Sequence, residues 1–125
     1  VDFGKVLVFV NGVLFIGFGL GFIVAPSFFS SLFTGATLSP SSALIDVRST
    51  YGALGLGVGV WLLFCFKDNV RLGLVGSLVV LASIIVGRVA GLIVDGNPNT
   101  FMYVFLGAEV VFFLATLYVV RSAHA

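Results

Sequence analysis

Ionisable side chains are what this sequence lacks most. It carries 5 acidic and 6 basic residues in 125, so 9% of the chain is charged, against about a quarter in an ordinary soluble domain. A surface so poor in charge cannot be covered with polar groups in water. With 60% hydrophobic residues and a mean hydropathy of +1.26, the fitting class is an integral membrane protein. The net charge is only +1 and there is no basic run, so nucleic acid has no electrostatic footprint to meet. The single cysteine, Cys65, excludes an internal disulfide and a thiolate metal cage. Between Phe64 and Phe66 it reads as a small buried hydrophobe. The single histidine, His124, excludes a His-based metal site or a Ser-His-Asp triad. No metal and no cofactor are expected.

What is abundant is apolar sequence. Four runs, 6–25, 43–66, 72–94 and 101–120, are each long enough to cross a hydrocarbon core of about 30 Å at about 1.5 Å per residue. The expected fold class is an all-α integral membrane protein, a four-transmembrane-helix bundle in which residues 1–125 form a single transmembrane domain. The first run is too long for the apolar part of a signal peptide and lacks an A-x-A cleavage pattern. Its "GFGLGF" (17–22) mimics part of a dinucleotide loop, but it lies inside a span and not after a strand. Lys5, Lys67, Arg71 and Arg121 stand outside the spans, whereas 26–42 and 95–100 hold no Lys or Arg. The positive-inside rule then puts both termini and the "KDNVR" turn (67–71) in the cytoplasm, as in a multi-pass protein of the cell (inner) membrane. In "PSFFSSLFTG" (26–35), Phe28, Phe29, Leu32 and Phe33 fall on one helical face, the spacing of a short interfacial helix between the first two spans. Ser39 can cap the second span, with Pro40 at its first helical position.

Glycine spacing suggests how the spans pack. Gly17/Gly21, Gly55/Gly59 and Gly87/Gly91 are small-xxx-small pairs, and Ser83 extends the last into a row. In lipid, close backbone approach must supply the attraction that water supplies elsewhere. Gly52, Gly55 and Gly59 share a face with Arg48, so that stripe is expected to turn inward. Such pairs could also form a dimer seam, but packing within the chain is the more economical use.

Charge inside the spans is the remaining clue. In "ASIIVGRVAGLIVDG" (82–96), Arg88 lies about six residues, roughly 9 Å, below the outer edge. Glu109 on the returning span lies roughly 12 Å deep, within an arginine's reach. Facing lipid, either charge would cost at least about 2.5–3.5 kcal/mol. Arg88 and Glu109 are therefore expected to pair. Arg48 should find Asp95 or Glu109, and less readily Asp46, which is about 200° away on the same helix. The resulting outward-facing cluster comprises Asp46, Arg48, Arg88, Asp95 and Glu109, with Tyr51 and Tyr103 nearby. In the cytoplasmic half, Asn11 is the main polar residue. Such a cluster can be a staple fixing helix register, a polar pocket for a ligand or a proton, or two arginines snorkelling to the outer head groups.

The elements "AP" (Ala25, Pro26), "ALIDVRSTYGALGLGVGVWLL" (43–63) and "GRVAGLIVDGNP" (87–98), with an acid at Glu109, carry a family resemblance. On them the chain resembles a bacterial family of small four-helix membrane proteins, domain-of-unknown-function family 4345. The resemblance implies a multi-pass inner-membrane protein with no assigned reaction. Three functions stay open. An accessory subunit would use its apolar faces to bind a larger membrane protein complex. A binding bundle would hold a lipid-like or quinone-like molecule with its head on Arg48 or Arg88. An isomerase-like enzyme would need Glu109 or Asp46 free to carry a proton, which a neighbouring arginine opposes. The first two rank ahead of the enzyme. A channel ranks lower still, for want of a polar lining in the inner half.

Overall fold

Backbone groups that meet no water must bond to one another, so each apolar run closes its own hydrogen-bond ladder as a helix. The computed structural model describes residues 2–122. It contains α1 (Phe3–Val24), α2 (Pro26–Thr34), α3 (Ser41–Val47), a π-helical segment (Arg48–Ala53), α4 (Leu54–Asp68), α5 (Val70–Asp95) and α6 (Thr100–Ser122). α3, the π segment and α4 are continuous as Ser41–Asp68, which with α1, α5 and α6 makes four helices long and apolar enough to cross a membrane. The protein is an all-α, four-helix membrane bundle. Each span lies against the next, the fourth returns to the first, and α1 also touches α5 across the bundle. Lys5, Lys67, Arg71 and Arg121 mark one end, here the basic end; α2 and the 96–99 turn mark the other, the loop end.

Helix ends follow local chemistry. Asp2 caps α1 by accepting from the Gly4 N–H at 2.9 Å, and Asn69 caps α5 through Leu72 N–H at 3.1 Å. Pro26 has no N–H to continue α1 and instead opens α2. Gly35, at φ 77°, closes α2 in the left-handed region that glycine tolerates. The start of the second span differs from the sequence expectation. Pro40 is extended and sits at the cap, the helix begins at Ser41, and no side chain caps it, so Ser39 does not serve there.

The core lies in the basic half. Leu7, Val8, Leu62, Cys65 and Leu74 form one buried cluster, with Phe66, Phe112 and Val119 against it. α1 and α4 come into backbone contact. A methyl at Gly59 would lie 2.6 Å from the Gly12 carbonyl oxygen, and one at Gly19 would lie 2.5 Å from Leu56 N and 2.7 Å from the Gly52 carbonyl. Gly73 admits Val8, and Gly76 admits the ring of Trp61. Three residues of the expected glycine rows have no such neighbour. Gly17, Gly87 and Gly91 face open space, while Gly21 lies under the Phe29 ring and Gly55 is no closer than 3.6 Å to Gly19. The expectation that Gly17, Gly87 and Gly91 pack helices of this chain is therefore corrected. The working positions on α1 are Gly12 and Gly19, about two turns apart on one face.

At the loop end the packing loosens. No residue from 82 to 115 is fully buried, and α2 fills the space with aromatic rings. Phe33 meets Phe18, Phe101 and Phe105 at centroid distances of 5.7, 5.3 and 5.2 Å, and Phe29 meets Phe22 at 5.9 Å. The predicted single apolar face of α2 thus divides. Phe29 and Phe33 turn onto α1 and α6, while Phe28 and Leu32 stay exposed.

Candidate functional site

Arg88 stands on α5 and Glu109 on α6, brought level because the two helices are consecutive and antiparallel. Arg88 Nε donates to Glu109 Oε1 at 2.8 Å and Nη2 donates to Oε2 at 2.7 Å. The planar guanidinium matches the carboxylate fork, which makes this two-point geometry the strong form of the pair. The side chains are 21% and 16% exposed. One turn toward the loop end, the Phe105 ring lies 5.6 Å from the guanidinium carbon, near enough for a cation–π contact. Nη1 is left with the Met102 sulfur at 3.4 Å, a weak acceptor. One edge of Arg88 is therefore still able to donate. Arg88 lines an open cavity of about 280 Å³ together with Gly91, Leu92, Asp95, Gly96, Pro98 and Met102.

The larger ionic cluster expected from the sequence does not assemble. Among the described residues the structure holds one ion pair, Arg88–Glu109. Asp46 and Asp95 are exposed and pair with neither arginine. Tyr51 is exposed and packs on Phe22 at 5.4 Å, and Tyr103 is also exposed. Arg48 instead donates from Nη1 to the carbonyl of Ile23. The reason is local. Pro26 stops α1, the last carbonyls of a helix have no partner in it, and its C-terminal end attracts a cation. That unmet acceptor takes the guanidinium, and no carboxylate lies within ion-pair distance of it among the described residues. His124 lies outside the described residues.

Arg48 also begins the π segment, which no sequence signal announced as such. Leu54 N–H bonds to the Ser49 carbonyl, five residues back. Ser49 Oγ and Thr50 Oγ1 donate to the carbonyls of Ile45 and Asp46 at 3.0 and 2.7 Å. Such back-bonding loosens a helix where it occurs. The widened turn places Gly52 against Ile23 and Gly19 of α1. At the loop end Asn99 joins two elements: its Nδ2 donates to the Phe33 carbonyl at 2.9 Å and its Oδ1 accepts from Met102 N–H at 3.2 Å. An Asn preceding an apolar run is the cap signal that could have found it.

The basic half is more polar inside than the sequence suggested. Ser77 and Thr116 are as deeply buried as Asn11. Thr116 donates to the Phe112 carbonyl at 2.7 Å, whereas Asn11 Nδ2 and Ser77 Oγ have no partner. Among the described residues no group of three or more His, Cys, Asp or Glu is placed to hold a metal ion. Comparison with curated proteins and with solved structures finds no match. A family model does match, over residues 3–120, nearly the whole of the bundle just described. The chain belongs to the family described as "Domain of unknown function (DUF4345)".

Proposed function

We propose that this membrane protein binds a small amphiphile whose polar head meets Arg88 at the loop end, with its hydrocarbon along α5 and α6. One observation carries the reading. A neutralised guanidinium inside a span, whose Nη1 meets only a thioether sulfur, lines an open cavity in the half of the bundle that buries no side chain of α5 or α6 beyond Leu81 until Thr116. A simple staple needs no cavity beside it. Because Glu109 already cancels the arginine charge and Asp95 stands on the cavity wall, an anionic head would add unbalanced charge. A carbonyl-bearing, quinone-like head accepts the hydrogen bond without that cost. Both Glu109 oxygens accept from Arg88, so the carboxylate is engaged as the partner of a cation, which weighs against the isomerase-like enzyme. The Lys/Arg-bearing end supports a cytoplasmic placement of both termini in a cell membrane, with Arg88 in the outer half.

The test is thermal melting of the detergent-purified protein with decylubiquinone, beside stearate as an anionic control. The wild type should be stabilised by decylubiquinone, and the Arg88→Met/Glu109→Met double variant should not respond. Equal responses in both proteins would remove Arg88 from the site. No response to any amphiphile would leave the accessory-subunit role, in which the open faces of α5 and α6 await a larger complex.

A further inference from the structure

A second groove lies at the basic end, far from Arg88 and independent of the amphiphile reading. It has a volume of about 440 Å³ and is lined by Asp2, Lys5, Val6, Phe9 and Phe66. Its walls are graded. Phe9 and Phe66 pack at 5.4 Å between ring centroids and form the apolar floor, Val6 continues it, and the two charges sit at the rim where α1 begins. Asp2 and Lys5 are three residues apart, the spacing of neighbours on one helix face. Yet Arg88–Glu109 is the only ion pair among the described residues, so these two opposite charges are not closed on each other. The Asp2 carboxylate offers one oxygen to the Gly4 N–H and keeps the other. Lys5 is exposed and stands near the start of a helix long and apolar enough to cross a membrane.

We propose that this groove holds one amino-phospholipid, with its phosphate on Lys5, its ammonium on Asp2 and an acyl chain against Val6, Phe9 and Phe66. An anionic lipid without an amine would satisfy Lys5 and meet Asp2 as a repulsion. A choline head carries the positive charge but has no N–H to donate. Phosphatidylethanolamine meets both rim groups with the correct sign and with hydrogen bonds. Basic residues at the ends of membrane helices are a general means of holding lipid head groups, and the carboxylate beside this one is what narrows the choice.

The experiment is native mass spectrometry of the full chain in detergent with dimyristoyl phosphatidylethanolamine, phosphatidylcholine and phosphatidylglycerol added in equal amounts. The wild type should retain phosphatidylethanolamine over the other two by about two- to fivefold, the size of an exposed charge interaction. Asp2→Asn keeps the helix cap, since Asn caps as well as Asp, and should erase the advantage over phosphatidylglycerol. Lys5→Gln should weaken retention of all three, and Phe9→Ala should weaken all three without reordering them. Arg121→Gln, at the same end but outside the groove, should leave the order unchanged. Equal retention of the three lipids by the wild type, phosphatidylglycerol ahead of phosphatidylethanolamine, or an order that survives Asp2→Asn would each overturn the assignment. So would Arg121→Gln acting as Lys5→Gln does, because the preference would then belong to the charge of the whole end.

Discussion

Two glycines with the same sequence spacing stand in opposite surroundings, and their substitution by alanine separates packing from pattern. At Gly59 a methyl would lie 2.6 Å from the Gly12 carbonyl oxygen, 2.6 Å from Ile16 Cγ1 and 2.7 Å from Ile16 N. Carbon contacts relax at about 3.5–4.0 Å, so α1 and α4 would have to part by about 1 Å. Two of these three neighbours are backbone atoms and cannot rotate away. Overpacking of this kind costs about 1–3 kcal/mol. The contact continues through Gly19 and Gly52, so the parting spreads along the seam and the upper part of that range is expected. At Gly87 a methyl meets nothing within 4 Å, and alanine adds up to about 1 kcal/mol of helix propensity. Gly55→Ala, with 3.6 Å of clearance to Gly19, should also be mild. The assay is reversible unfolding of the monomer in mixed micelles, following the far-ultraviolet helix signal. The expected order of stability is Gly87→Ala at or above wild type, Gly55→Ala close to it, and Gly59→Ala clearly below. If Gly59→Ala matches wild type, the backbone contact between α1 and α4 is wrong. If Gly87→Ala is the damaging one, a helix of this same chain packs on that face of α5 and the clearance at Gly87 is wrong.

The remaining expectations concern charge and burial. Arg88→Ala and Glu109→Ala should each destabilise the protein, because removing one partner of this part-buried pair leaves an unpaired charge inside a span, a cost of up to about 3 kcal/mol, and Arg88→Met/Glu109→Met should be milder than either. Three equally damaging variants in the same unfolding assay would mean that each charge has its own partner. Ser77→Ala should raise the melting temperature, because an unpartnered buried hydroxyl costs about 1–3 kcal/mol; a lowered value would show that the hydroxyl is bonded. Cysteines introduced at Ser42 and Asn97, both exposed, should label from outside intact cells while buried Cys65 stays silent. Labelling from the cytoplasmic side alone would invert the orientation.

Much of the fold is legible in the sequence because in lipid the length of an apolar run sets the helix. The spans expected at 72–94 and 101–120 become Val70–Asp95 and Thr100–Ser122. The Arg88–Glu109 pair is legible for a related reason: a rise of about 1.5 Å per residue turns sequence position into depth. What escapes is whatever a tertiary neighbour decides. Spacing cannot distinguish Gly59 from Gly91, since the difference lies in the helix that arrives opposite. Gly12 and Gly19, seven positions apart, fall outside a four-residue search altogether. The partner of Arg48 is missed because charge matching considers side chains, and the acceptor is a backbone carbonyl freed by Pro26. The π segment is missed for the same reason. Its hydroxyls at Ser49 and Thr50 are visible, but the pull of Gly52 toward α1 is not.

The placement of Arg88 and Glu109 on consecutive spans, 21 positions apart, also bears on how the chain enters the bilayer during synthesis. α5 emerges first and presents an arginine with no counter-charge, a penalty of about 2.5–3.5 kcal/mol at insertion. Its carboxylate arrives only with α6, so the hairpin, rather than the single helix, is the unit that crosses at low cost. A nascent chain truncated after Pro98 should therefore leave α5 partly uninserted in a glycosylation-mapping assay. The full chain, or a truncated chain carrying Arg88→Leu, should insert completely. Full insertion of the unmodified truncated chain would show that the rest of α5 is apolar enough to carry its arginine alone.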